Sequence, residues 1–154
     1  MPGKAIGKRT GYGYPGTVAR MSDAVISAYP AKGFDIGFGD PVVLNDDGTV
    51  SKFATDSTAD QFIGIAVREV KQAKRDEEPA FYYKEGEPVD ILVRGSIAVS
   101  CAEGAPSLRG AVYVLDGAFT ASDSGTKLND NVIFSKKDVD PDKVTEITIL
   151  TRSA

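Results

Sequence analysis

Three times along this 154-residue chain the same punctuation recurs, and it leaves room only for short strands. Gly39-Asp40-Pro41-Val42-Val43-Leu44 runs to Asp47-Gly48, Gly86-Glu87-Pro88-Val89-Asp90-Ile91 runs to Arg94-Gly95, and Gly110-Ala111-Val112-Tyr113-Val114 runs to Asp116-Gly117. Each reads as a turn, a short strand and a tight turn. Proline at the first residue of a strand costs no ladder hydrogen bond, and Asp-Gly supplies the positive φ that a hairpin turn needs. A chain punctuated in this way builds a small barrel or a sandwich of short strands separated by longer excursions.

Hydropathy patterning agrees with an all-β domain. Ile91, Val93, Ile97 and Val99 alternate with Leu92, Arg94, Ser96 and Ala98, which predicts one half-buried strand. Phe62-Ile63-Gly64-Ile65-Ala66-Val67 is apolar on both faces and predicts a central strand, with further strands at 41–44, 111–115, 132–134 and 145–151. No ten-residue window carries a helical stripe. Thr58-Ala59-Asp60-Gln61 has the form of a capping box, but β-branched residues follow so closely that a single helical turn is the most it supports. Residues 18–29 are the one other place for a short helix. Two excursions stand out: 71–83, dense in charge and read as a solvated hairpin tip, and 118–131, rich in Ser, Asp and Gly.

The first 22 residues differ from the rest. They hold Lys4, Lys8, Arg9 and Arg20, no carboxylate, and the run Gly11-Tyr12-Gly13-Tyr14-Pro15-Gly16. Their glycines and prolines fit neither helical nor strand periodicity, so residues 1–22 read as an extended N-terminal arm on a single β domain at 23–154. All 22 acidic residues lie in that domain against fourteen basic ones, a formal −8 beside an arm of +4. Tyrosines and a proline on a basic tether lose little side-chain entropy on docking, which suits the arm to gripping an acidic protein surface. The competing reading is that the arm folds back as an edge strand on its own body.

Several function classes are excluded by what the chain contains. It has no histidine, which removes Ser-His and Cys-His nucleophile activation, histidine metal ligation and the usual proton shuttle near neutral pH, so the chain reads as no enzyme and as needing no cofactor. Paired carboxylates alone do not make a glycosidase in a chain with no Trp and no large α/β scaffold. The single cysteine, Cys101, follows the alternating strand and reads as a small buried apolar residue. A net charge of −4 argues against coating nucleic acid, and Arg94, Arg109 and Lys127 are scattered among more numerous acids rather than gathered beside aromatic platforms. No apolar run approaches the length of a membrane span, and residues 1–7 lack the apolar core of an export signal, so a soluble, cytoplasmically made protein is expected. Three motif matches fail on context. Residues 11–16 fit G-x-G-x-x-G, yet no strand precedes them and no amphipathic helix follows. Asp138-Val139-Asp140-Pro141-Asp142 imitates a calcium loop but has Lys143 and Ile149 where Gly and Glu are required, so it reads as a turn, as does Asn45-Asp46-Asp47-Gly48.

A family resemblance is carried by the order of four segments. Gly13-Tyr14-Pro15-Gly16 with Arg20, then Phe38-Gly39-Asp40-Pro41-Val42, then Phe62-Ile63-Gly64-Ile65-Ala66-Val67-Arg68, then Gly86-Glu87-Pro88-Val89 leading to Leu92-Val93-Arg94-Gly95, resemble the capsid cement or head decoration proteins of tailed bacteriophages. The resemblance spans roughly residues 11–115. It implies a β-rich barrel or β-tulip-like sandwich, trimeric more often than dimeric, that binds the outside of the expanded head and clamps the major capsid proteins. It carries no catalytic, cofactor or metal residues. Within the arm motif it marks Tyr14, Pro15 and Arg20 as partner contacts; Tyr12 and Arg9 join them from the arm's own composition. The alternative reading is a small β module that binds carbohydrate or a host surface, for which Phe81-Tyr82-Tyr83 is the one aromatic cluster.

Overall fold

A computed structural model describes residues 11–33, 35–69 and 82–151. Among the described residues ten strands form two antiparallel sheets. They are β1 (Val25–Pro30), β2 (Pro41–Leu44), β3 (Val50–Lys52), β4 (Phe62–Ala66), β5 (Pro88–Ser100), β6 (Tyr113–Leu115), β7 (Ala118–Thr120), β8 (Thr126–Lys127), β9 (Val132–Phe134) and β10 (Val144–Ile149). The larger sheet runs β3-β2-β4-β5-β10-β9, with β1 also on β5; the smaller runs β7-β6-β8. The path of the larger sheet ends at β3 and β9 without closing among the described residues, so of barrel and sandwich the architecture is sandwich-like.

The thirteen-residue β5 is the spine. Residues 88–94 pair with β1 and in part with β4, and residues 95–100 pair with β10. The change of partner falls at Gly95, whose φ of +124° is open to glycine alone among common residues. Here the sequence reading needs correction. Arg94-Gly95 does not end a strand, and the strand is not half-buried. Ile91 and Val93 belong to one apolar cluster, whereas Ile97 and Val99 join Leu92 in the other. The bulge opposite Val25–Ile26 and the kink at Gly95 shift the side-chain alternation by one residue, so a single strand feeds two cores.

The first core gathers Phe53, Phe62, Ile65, Ile97, Phe119, Phe134 and Ile147 between the two sheets, and the second gathers Ile36, Val42, Val50, Tyr83, Val89 and Ile91. Strand β4 lies between β2 and β5 and is buried on both faces, Ile65 in the first core and Ala66 in the second, which accounts for its unbroken apolar run. Gly64 permits the approach: a Cβ there would stand 2.3 Å from the Leu92 carbonyl oxygen.

The predicted turns form where Asp-Gly stands. Gly48 (φ +82°) closes the β2–β3 hairpin, and Asp116 (+50°) with Gly117 (+76°) closes β6–β7. Residues 59–61 make one 3₁₀ turn, the Thr58 N–H donating to Gln61 Oε1 at 3.0 Å. Two expectations change. Residues 18–29 hold only a 3₁₀ turn at Met21–Asp23 before β1 begins, and the polar stretch 118–131 contains β7 and β8 because Phe119 is buried in the first core. Most of the charged excursion 71–83 lies outside the described residues.

Candidate functional site

Two turns of the same type meet back to back and fasten the segment at 14–19 to the body. In Tyr14-Pro15-Gly16-Thr17 the Thr17 N–H donates to the Tyr14 carbonyl at 3.0 Å and Gly16 has φ +85°. Proline second and a positive-φ glycine third are the signature of a type II turn. Gly37-Phe38-Gly39-Asp40 repeats the pattern, with Asp40 N–H to Gly37 C=O at 3.2 Å and Gly39 at φ +81°. The two positive-φ glycines touch. A Cβ on Gly39 would stand 2.8 Å from the Gly16 nitrogen, and one on Gly16 would stand 2.8 Å from the Arg68 nitrogen.

From this clasp the segment runs beside the second half of β5. Gly16 N–H donates to Ala98 C=O (2.8 Å), Ala98 N–H to Thr17 C=O (3.0 Å), Ala19 N–H to Ser96 C=O (2.8 Å), and Arg68 N–H to Gly16 C=O (2.8 Å). Ser96 and Ala98 are consequently buried. Residues 16–19 are therefore fastened to the body by backbone hydrogen bonds, with a single isolated bridge of Val18 to Ile97 and no strand. Further toward the N-terminus, Tyr12 N–H donates to Asp140 Oδ2 at 3.0 Å, its hydroxyl donates to Asp138, and Lys136 Nζ sits 5.6 Å from its ring centroid. Asp140 is a buried cap: its Oδ1 also accepts from Asp142 N–H (2.9 Å) and Val144 N–H (2.8 Å), forming the turn read from 138–142.

Beside the clasp lies an open cleft of about 300 Å³, lined by Pro15, Phe38, Asp40, Lys52, Arg68 and Tyr82. The Arg68 guanidinium carbon stands 4.7 Å from the Tyr14 ring centroid and 5.8 Å from that of Phe38, within cation–π range of both. Phe38 in turn packs edge-on against buried Tyr83, ring centroids 5.5 Å apart. Asp40 faces Lys52 at 3.2 Å and accepts the Gly37 N–H at 2.8 Å, yet burial pushes its carboxyl above the ordinary value because desolvation outweighs both partners.

Of the residues read from the sequence, Tyr14 is 69% exposed and stacks on Arg68, and Pro15 lines the cleft. Tyr12 is half-buried against Asp138 and Asp140, Arg20 is exposed beside the Met21–Asp23 turn, and Arg9 lies outside the described residues. Phe38, Lys52 and Arg68 are not among the contacts read from the sequence, and Tyr82 enters there only through the aromatic cluster of the alternative reading. The signal for Arg68 is faint: it is the cation that ends the apolar run 62–67. Tyr82 is 55% exposed at the cleft, whereas Tyr83 is fully buried, so the aromatic cluster divides between surface and core. Cys101 is buried, and burial raises its thiol, as the apolar reading requires. No group of three metal-ligating side chains occurs among the described residues.

The family model of the structural cement proteins (E217 gp24/Pam3 gp6) matches residues 2–150. No curated protein matches the chain. Among solved structures, a chain in the capsid of Myoviridae phage XM1 is similar at 20% identity with a TM-score of 0.72, the match covering 95% of each chain. That likeness establishes a shared fold. The four segments that carry the resemblance are not scattered in space: residues 14–16, 37–40 and 68 form the clasp and cleft, and 88–95 form the half of β5 that holds β4, the strand leading to Arg68.

Proposed function

The chain belongs to the phage structural cement protein family, and from that premise we propose that it binds the outer surface of the expanded head and stabilises contacts between major capsid proteins, without enzymatic activity. The observation that carries this reading is the family match over nearly the whole chain. The geometry supports it: a rigid double-cored body presents Tyr14, Pro15 and Arg20 on a segment pinned by its backbone, so side chains remain available to a partner. Weak contacts repeated over a lattice add to durable attachment through multivalency, and self-association of the cement subunit, as a trimer in preference to a dimer, would add to it further.

The test is direct. Purified protein mixed with emptied, expanded cognate shells should co-sediment with them and raise their melting temperature. Absence of both effects would sink the reading. Deleting residues 1–22 should weaken attachment and flatten its salt dependence, and unchanged binding would remove the arm from the interface. The mass of the free protein in solution distinguishes trimer, dimer and monomer.

A further inference from the structure

We propose that the cleft beside the clasp is a receptor for one acidic side chain on an extended segment of the coat protein, with Arg68 as its anchor; this rests on the cement reading above. Arg68 is unusual among the described cations in how it is held. Its backbone N–H is fixed to Gly16, its guanidinium lies within reach of the rings of Tyr14 and Phe38, and among the described residues no carboxylate stands within ion-pairing distance of it and its side-chain N–H groups meet no acceptor. Asp40, the carboxylate that lines the cleft, is already engaged by the Gly37 N–H and by Lys52.

Stacking of a guanidinium on aromatic faces leaves its in-plane donors for a planar oxyanion, the fork geometry that a carboxylate fits in bidentate fashion. The rings do more than position it. With Pro15 and exposed Tyr82, Phe38 gives the cleft an apolar wall beside the Asp40–Lys52 pair, and a partner segment laid against that wall displaces water, which strengthens a charge pair formed inside. An acidic protein side chain suits the site better than a nucleic acid phosphate. The body carries a formal −8, and a polyanion laid across this face would meet that charge along its length, whereas a single carboxylate meets Arg68 in a cleft whose one described carboxylate, Asp40, is already paired with Lys52. The clasp supplies rigidity. Gly16, Gly39 and the Arg68 backbone approach so closely that the cleft is formed before any partner arrives, so little ordering entropy opposes docking.

The experiment compares Arg68→Gln and Arg68→Lys with the parent for binding to emptied, expanded cognate shells across a salt series. Arg68→Gln should bind at least about tenfold more weakly and with a shallower salt dependence; Arg68→Lys, which keeps the charge but not the planar fork, should recover only part of the loss. Thermal unfolding checks that each variant folds, and Arg68→Lys alone decides if the glutamine variant does not. If the parent binds and either folded variant binds as well as it does, the inference is overturned while the cement reading stands. If the parent itself fails to bind, the cement reading falls. Should Arg68→Gln instead change the mass of the free protein in solution with shell binding intact, the cleft holds a second copy of this chain, and the coat-protein assignment is overturned.

Discussion

Replacing Gly16 with alanine tests the clasp, and Gly13 supplies the control. Both glycines sit at positive φ, +85° and +101°, so alanine at either incurs about 1–2 kcal/mol of backbone strain. Their surroundings differ. A Cβ on Gly13 meets nothing within 4 Å, whereas one on Gly16 would stand 2.8 Å from the Arg68 nitrogen and 2.9 Å from the Gly39 nitrogen. Both neighbours are backbone atoms already committed to hydrogen bonds, with Gly16 and Ala66 as acceptors, and cannot swing aside. Relief requires the segment to lift, and complete release forfeits its four backbone hydrogen bonds to β5 and Arg68, about 2–6 kcal/mol in all. Gly16→Ala should therefore cost about 3–4 kcal/mol against about 1–2 for Gly13→Ala, with release of the segment as the upper limit. In a chain of this size that corresponds to roughly 6–16 °C in melting temperature against roughly 2–8 °C. Urea unfolding reads the free energies, and hydrogen exchange reads the mechanism: the Ala98 and Arg68 amides, which donate to the segment, should exchange faster in Gly16→Ala alone. Equal destabilisation of the two variants within about 0.5 kcal/mol, with those amides equally protected, would refute the steric argument.

Two further substitutions probe what holds the body and the segment together. Asp140→Asn replaces one carboxylate oxygen with an amide that cannot accept, leaving at least one of the Tyr12, Asp142 and Val144 N–H groups without its partner; a loss of about 1.5–3 kcal/mol in urea unfolding is expected, and an unchanged midpoint would dismiss the cap. Tyr83→Phe removes the hydroxyl that donates to the Val67 carbonyl at 2.5 Å, a cost of about 1–3 kcal/mol at neutral pH. Burial, followed by the nearby Glu69 charge, holds the Tyr83 phenol well above its ordinary value of 10 in the folded protein. The unfolded chain therefore loses this proton first as pH rises past 10, so the stability it contributes is complete below pH 10 and declines above it, by up to about 1.4 kcal/mol per pH unit. The gap between parent and Tyr83→Phe should narrow between pH 9.5 and 11, and a constant gap would contradict the buried-phenol account.

How much of this was readable in the residues depended on the range of the interaction that decides each feature. Asp47-Gly48 and Asp116-Gly117 close hairpins because their conformational needs are local, and β2, β4 and β9 announce themselves through apolar runs between turn residues. Gly95 was misread because a positive-φ glycine serves a turn and a bulge equally well, and what separates them is the exchange of β1 for β10 as neighbour, a choice made by residues far away in sequence. β7 was hidden for a similar reason: Ala118-Phe119-Thr120 is outvoted locally by Ser, Asp and Gly, and only the core that receives Phe119 makes it a strand. The cleft is the extreme case. Pro15, Phe38, Arg68 and Tyr82 come from four separate stretches, and two ordinary type II turns acquire their meaning only when Gly16 meets Gly39.

That meeting also dissolves an opposition the sequence had suggested, between an arm that folds back on its own body and an arm that reaches for a partner. Residues 16–19 spend their backbone amides and carbonyls on β5 and Arg68, which is the folded-back arrangement. Yet a segment held by its backbone keeps its side chains for other uses, and here the two tyrosines divide the work. Tyr12 turns inward to Asp138 and Asp140, where it locks the path of the chain, while Tyr14 stays 69% exposed over Arg68. An anchor that was mobile in the free protein would lose ordering entropy on every subunit that binds the lattice; one already clasped loses little. Under the proposed contact with a coat protein, folding back is thus what would hold the aromatic groups of this segment rigid before docking.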